Sequence, residues 1–242
     1  MRSVWSKGFI YVAMGLLPSA VLSAPPSGVR DINQHRAISG HLTPGDTPGF
    51  PVTINRPGSY RLTSNLDLPS TPGTIGVDIT AESVTLDLNG FAIIGPRVCP
   101  NDTEFFCPPH VEDAGYVGIR GGNNVTVLNG TVRGTPGAAI SLGAHARIER
   151  VNAIWNSLFG ILVGPGSTLE DNLIAQNGQG VLAGDDCIAT GNRIRNNPFW
   201  GLQMAGTNCG YRDNIISCSP SFTCVSGGVQ LGPNLCNGVV CP

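Results

Sequence analysis

Three groups of residues in this chain could do chemistry, and each has its own spacing. Gly184-Asp185-Asp186-Cys187 sets two carboxylates side by side, and a pair of carboxyl groups is what glycoside hydrolysis needs. Arg120 and His145 supply a guanidinium and an imidazole, which can hold an acidic group through charge-assisted hydrogen bonds. Phe159 and Trp200 each directly precede a glycine, and Gln179 takes the same place between them. Such aromatics could form a strip that stacks on sugar rings, or they could shield a bend in the chain. Eight cysteines and four scattered histidines complete the set, with no Cys-x-x-Cys pair to favour zinc.

What positions these groups is a repeat. A glycine or alanine followed by an aliphatic residue returns at Gly118-Ile119, Ala139-Ile140, Gly160-Ile161, Gly180-Val181, Gly201-Leu202 and Gly228-Val229, at intervals of 21, 21, 20, 21 and 27 residues. A fixed period of this length marks a solenoid. The units are built from Ile, Val, Asn and Gly, which favour strands over helices. Ile161 and Val163 alternate around Leu162 before Pro165-Gly166 stops the run, the period of a strand. Each unit is therefore about three short strands, stacked on the next at ~4.8 Å. Two inward columns follow: Val77, Ile119, Ile140, Ile161, Val181, Leu202, Val229, and Ile79, Gly121, Leu142, Val163, Ala183, Met204, Leu231.

Ten to twelve residues after each marker stands an asparagine: Asn129, Asn152, Asn172, Asn192 and Asn214. Asparagine tolerates left-handed backbone angles at a sharp bend, and stacked asparagines can bond amide to amide along the axis. The column is read as structural. Periodicity and composition together resemble the right-handed parallel β-helix superfamily that contains pectate lyases and polygalacturonases, over residues 58–232. The resemblance implies an all-β, single-stranded right-handed solenoid of about 21-residue coils.

Within that superfamily, Gly184-Asp185-Asp186 is similar to the Asp-Asp segment of polygalacturonases. The resemblance implies that Asp185 protonates the leaving oxygen and Asp186 helps to activate water. The rest of that catalytic set is missing, since the positions of its other aspartate and its histidine fall near Gly164 and Thr207. Its Arg-x-Lys motif is also absent, because Lys7 is the only lysine. Five places past each marker the repeat stacks Glu82, Asn124, His145, Gly166, Asp186 and Thr207 into one polar column. His145 and Asp186 would then flank a notch over glycine, ~10 Å apart, with Arg120 on the adjoining strand. Catalytic candidates are thus Asp185, Asp186 and His145, and ligand-binding candidates are Glu82, Arg120, Asn124, Phe159 and Trp200. No metal site and no cofactor are expected.

The chain opens with Arg2 and Lys7, an apolar run from Phe9 to Leu17, and small residues through Ala24, the pattern of a cleavable secretory signal over 1–24. Its removal leaves 12 basic and 16 acidic residues, so nucleic acid is not an expected partner. No later segment suits a membrane span. Residues 25–57 read as an arm or cap, 58–242 as the solenoid, with an insertion at 96–117 and a cap at 232–242. Eight cysteines in an exported chain read as disulfides. Cys187 and Cys209 fall at matching places on adjacent coils, which predicts a bridge between them. Cys99–Cys107, Cys218–Cys224 and Cys236–Cys241 are paired by proximity. The expected function is a secreted or periplasmic repeat protein that engages extracellular or cell-envelope polysaccharide, an acidic one at the notch. Two other classes stay open: a polysaccharide lyase or glycoside hydrolase, and a structural or adhesive solenoid without ligand.

Overall fold

The computed structural model describes residues 28–97, 115–218 and 223–241. They wind into a parallel β-solenoid. A front sheet takes one strand from each of eight coils: Val52–Ile54, Ile75–Ile79, Val117–Gly121, Ala138–Leu142, Phe159–Val163, Gln179–Ala183, Leu202–Met204 and Val225–Ser226. The remainder of each coil forms a second sheet with two arms. Arg147–Ile154 runs through both arms as one strand, whereas the next coil divides into Thr168–Glu170 and Leu173–Ala175. No helix among the described residues is long and apolar enough to cross a membrane.

Three corners per coil join the three faces, and each turns on a residue with φ between 53° and 68°. The first corner uses Asn124, His145, Gly166, Asp186 and Asn208; the second Asn129, Arg150, Asp171, Gly191 and Asp213; the third Gly134, Trp155, Gln176 and Asn196. A single left-handed residue bends a strand sharply. The residue that follows it faces the core. At the first corner these are Ala146, Ser167, Cys187 and Cys209; at the second Asn172, Asn192 and Asn214; at the third Asn156, Asn177 and Asn197, all buried.

The aliphatic columns hold the coil together. Val77, Ile119, Ile140, Ile161, Val181 and Leu202 pair in register and are buried, as are Ile79, Leu142, Val163, Ala183 and Met204. Each such side chain contributes roughly 1.5–3 kcal/mol. The last coil departs from expectation, because Leu202 pairs with Val225 rather than Val229. Val229 pairs instead with Gly210 in the second sheet and is 61% exposed, and Leu231 is exposed too. Gly227 and Gly228 carry φ near 74°, so the Gly-Val phrase stands beyond another bend and no longer marks the front strand.

The asparagine column also shifts. The left-handed residue is the one before each asparagine, and the asparagine supplies its side chain. Asn152 pairs with Leu173, outside the column. Its expected place belongs to Val151, whose N–H donates to Asn172 Oδ1 at 2.9 Å, because these coils repeat at 21 residues and Asn172 stands 20 after Asn152. Asn129 is itself a left-handed corner residue. The ladder runs Asn172, Asn192, Asn214, Asn234, each Oδ1 accepting the backbone N–H and Nδ2 of the asparagine before it. A second ladder, Asn156, Asn177 and Asn197, repeats the pattern at the third corner.

Cys218–Cys224 and Cys236–Cys241 are disulfides, with Cα atoms 5.1 and 4.8 Å apart. Cys187 and Cys209 are not bridged; both are buried free thiols. They do stand on adjacent coils, since Ile188 pairs with Gly210. Each sulfur turns to backbone carbonyls, Cys187 Sγ to Gly164 and Asp185 at 3.3 Å and Cys209 Sγ to Gly184 at 2.9 Å. Cys99, Cys107, most of the insertion expected at 96–117 and the signal segment expected at 1–24 lie outside the described residues. Strand pairing reaches back to Arg30–Ile32, beside Gly58–Leu62. The short helix Gln34–Ser39 follows, its N-terminus capped by the Asn33 side chain.

Candidate functional site

The residues singled out by sequence lie on the front sheet and its two bordering corners, in three separate columns. Phe159 pairs with Gln179, and the Trp200 carbonyl accepts from Gly180 N–H at 2.8 Å, which places Phe159, Gln179 and Trp200 along the entry edge. Arg120 stands mid-sheet, but its guanidinium is held by Asp78 through two hydrogen bonds of 2.9 and 2.8 Å. That bidentate contact raises the Arg120 pKa above its ordinary value and commits two of its N–H donors to Asp78.

The polar column at the first corner forms, with two changes at its ends. Ser83 and Asn208 take the left-handed positions expected of Glu82 and Thr207. Asn124, His145, Gly166 and Asp186 stand as expected, but the notch is filled. A Cβ built on Gly166 would lie 2.5 Å from His145 Nδ1, so the imidazole covers the glycine. Asp185 Oδ1 accepts from the backbone N–H and the hydroxyl of Thr207 at 2.7 and 3.0 Å. Those bonds hold the Asp185 carboxyl below its ordinary pKa, which is the opposite of what a glycosidase acid requires.

A concave site opens elsewhere. The second corner folds the two arms of the second sheet toward each other around a cleft of about 400 Å³, lined by Arg150, Asn152, Asp171, Leu173, Gly191 and Arg193. The corner dictates these residue types. Asp171 lies over Gly191, where any Cβ would come within 2.2 Å of its carboxylate oxygen. Asn152, Leu173 and Arg193 follow in register on the second arm. Glu149 and Glu170 on the first arm are already engaged, Arg147 reaching both at 2.9 and 2.7 Å. Arg150 contacts Glu149 and donates to Asn129 Oδ1 at 2.8 Å. The Arg193 side chain is exposed and its guanidinium makes no hydrogen bond or ion pair among the described residues, while its backbone N–H donates to the Asn172 carbonyl at 2.8 Å.

Two guanidiniums outnumber the one carboxylate in this cleft: Arg193 is uncommitted, Arg150 is held in place, and Asp171, Asn152 and the Leu173 side chain complete the lining. It suits an anionic, hydroxyl-rich ligand. Among the described residues no group of three or more His, Cys, Asp or Glu side chains is placed to hold a metal ion. The spacing of the repeat does not single out Arg150, Asn152, Asp171 and Arg193 as a group. Position gives only their direction: residues on either side of the inward asparagine point away from the core. Neither a family model, nor a curated protein, nor a solved structure matches this chain.

Proposed function

We propose that this chain is an exported, right-handed, pectate lyase-like β-helix that binds acidic polysaccharide in the cleft at its second corner. The observation that carries this reading is the exposed, unpaired Arg193 guanidinium across a concave cleft from Arg150. A carboxylated sugar would place its acid on Arg193, its hydroxyls against Asn152 and a ring face over Leu173. Coils stack at ~4.8 Å, so a chain laid along the axis meets fresh side chains on each coil. Right-handed winding is supported by the strong bias of parallel crossover connections. Export is supported by the N-terminal apolar run and by the cysteines, two pairs of which form disulfides. Because Asp185 is held ionised, binding is favoured over hydrolysis by that pair.

The test is a binding panel with the purified protein: pectin, alginate, hyaluronan and xylan, with neutral dextran as control, monitoring retention together with unsaturated products and new reducing ends. Retention by the uronate-rich polymers without cleavage is expected. Equal binding to dextran, or retention by none of them, would refute the reading, and unsaturated products would convert it to a lyase.

A further inference from the structure

We infer that the last coil is an interface, and that its occupant is a second copy of this chain joined tail to tail through the strand Val239–Val240. That strand pairs antiparallel with Leu235–Cys236, and no other described strand lies against its outer side. Cys241 N–H donates to Asn234 O at 3.0 Å. In an antiparallel ladder successive residues alternate the direction of their polar groups, so the N–H and C=O of Val240 point out to the open edge. The Cys236–Cys241 disulfide holds this hairpin in place. A rigid, unpaired edge is a template for another strand.

The side chains beside that edge are apolar and in register. Ile215 pairs with Leu235, which pairs with Val240, and the three are 50%, 42% and 65% exposed. Val239 is 65% exposed as well. Natural edges are usually blunted by charge, yet from Asn214 onward the sequence contains no Asp, Glu, Lys, Arg or His. The opposite end of the solenoid differs. Its first strand, Arg30–Ile32, carries an Asp31–Arg61 ion pair, and Arg36 donates to the Asp31 carbonyl at 3.1 Å.

These facts select the occupant. Beside the ridge, Asp213 lies near Ile215, Leu235 and Val240 and faces Arg212 at 3.7 Å, so a charged partner gains little here, and the charged first strand is poorly matched to the apolar ridge, which disfavours head-to-tail stacking. Two copies of one strand related by a two-fold axis run antiparallel, so Val240 can exchange both hydrogen bonds with Val240 of its copy. The ridge Ile215, Leu235, Val240 then continues into its own mirror order across the axis.

Sedimentation velocity and light scattering of the full chain across a concentration series test the idea, together with Val240→Lys and Val240→Cys. A dimer is expected for the parent. Val240→Lys should weaken it by at least tenfold in dissociation constant (about 1.4 kcal/mol) while the far-UV circular dichroism stays unchanged. Val240→Cys should form a disulfide-linked dimer on mild oxidation, since hydrogen-bonded antiparallel pairs have Cα atoms about 5.5 Å apart, within disulfide range. A monomer at all concentrations, open-ended polymers, or a dimer indifferent to Val240→Lys would each overturn the inference.

Discussion

Asn172 and Asn192 are locked together across adjacent coils: one oxygen, Asn192 Oδ1, accepts both the backbone N–H and the Nδ2 of Asn172, at 3.1 and 3.0 Å. Both residues are buried. Replacing Asn192 by leucine leaves the buried Asn172 backbone N–H without an acceptor and its Nδ2 with the Ile148 carbonyl alone, and it also removes the Asn192 Nδ2 bond to the Leu169 carbonyl. An unsatisfied buried polar group costs about 1–3 kcal/mol. Asn192→Leu should therefore lower the unfolding free energy by at least that much in a urea titration. Asn152→Ala, on the outer face, should stay within about 0.5 kcal/mol. Equal effects would show that the two residues share an environment, contrary to the register.

Much of this architecture was legible because it repeats. The period near 21 residues and the alternation of Ile161, Leu162 and Val163 are enough to assign strands, inward columns and register through Leu202. The last coil was not legible, because the apolar marker Gly228-Val229 survives while the front strand closes earlier, at Val225. Sequence spacing also cannot tell a left-handed residue from its neighbour. Asp171 and Asn172 differ by one position, yet one turns the chain and the other fills the core. The second ladder lay in view as Asn172/Asn177 and Asn192/Asn197, five residues apart, but a search keyed to one marker per coil passes over it. The cleft escaped for a deeper reason: concavity depends on how two arms fold around a corner, and no single strand carries it.

Cys187 and Cys209 take the position that asparagine takes at the other two corners, which makes their chemistry testable. Burial is the main cause that pushes the Cys187 thiol above its ordinary value of 9.0. The folded state thus keeps a proton that the unfolded state releases. Stability from this group is full below pH 9.0 and is lost as pH rises toward the higher folded value. Cys187→Ala should flatten the fall in urea midpoint above pH 9 relative to the parent. Both thiols should also resist a thiol reagent in the native protein and react fully after unfolding. Fast native labelling, or mass spectrometry that finds Cys187 linked to Cys209, would contradict the free buried pair.

Asp185 offers the reverse sign. Its carboxyl is held below the ordinary value of 3.8, first by the Thr207 backbone N–H and then by the Thr207 hydroxyl. The folded state releases a proton more readily than the unfolded one. Whatever stability these bonds supply is present above pH 3.8 and is lost as pH falls through the folded value. Carbon-detected NMR titration should place Asp185 below the ordinary aspartate, and Thr207→Val should move it part of the way back. A titration at or above the ordinary value would restore Asp185 as a possible acid.

Arg193 is where binding and folding should separate. The side chain has no partner among the described residues, so its removal breaks no contact that the solenoid needs. Substitutions at such surface positions fall within about 0.5 kcal/mol, and Arg193→Glu should leave the urea midpoint within that margin. Its effect on acidic polysaccharide should be large, because the change replaces an attractive charge with a repulsive one beside the Asp171 carboxylate, and Arg150, the other guanidinium, is already engaged with Glu149 and Asn129. A charge-assisted hydrogen bond and its loss amount to about 1.5–3 kcal/mol, which predicts at least a tenfold weaker affinity for whichever uronate polymer the parent retains. The same binding should weaken as salt rises from low ionic strength, since exposed charges are screened over about 8–10 Å near 0.1–0.15 M. Affinity chromatography of parent and Arg193→Glu on the same immobilised polymer, at two salt concentrations, separates the outcomes. If Arg193→Glu is retained as well as the parent and salt has no effect, the polymer is held elsewhere, and the front-sheet column of Phe159, Gln179 and Trp200 becomes the surface to mutate next.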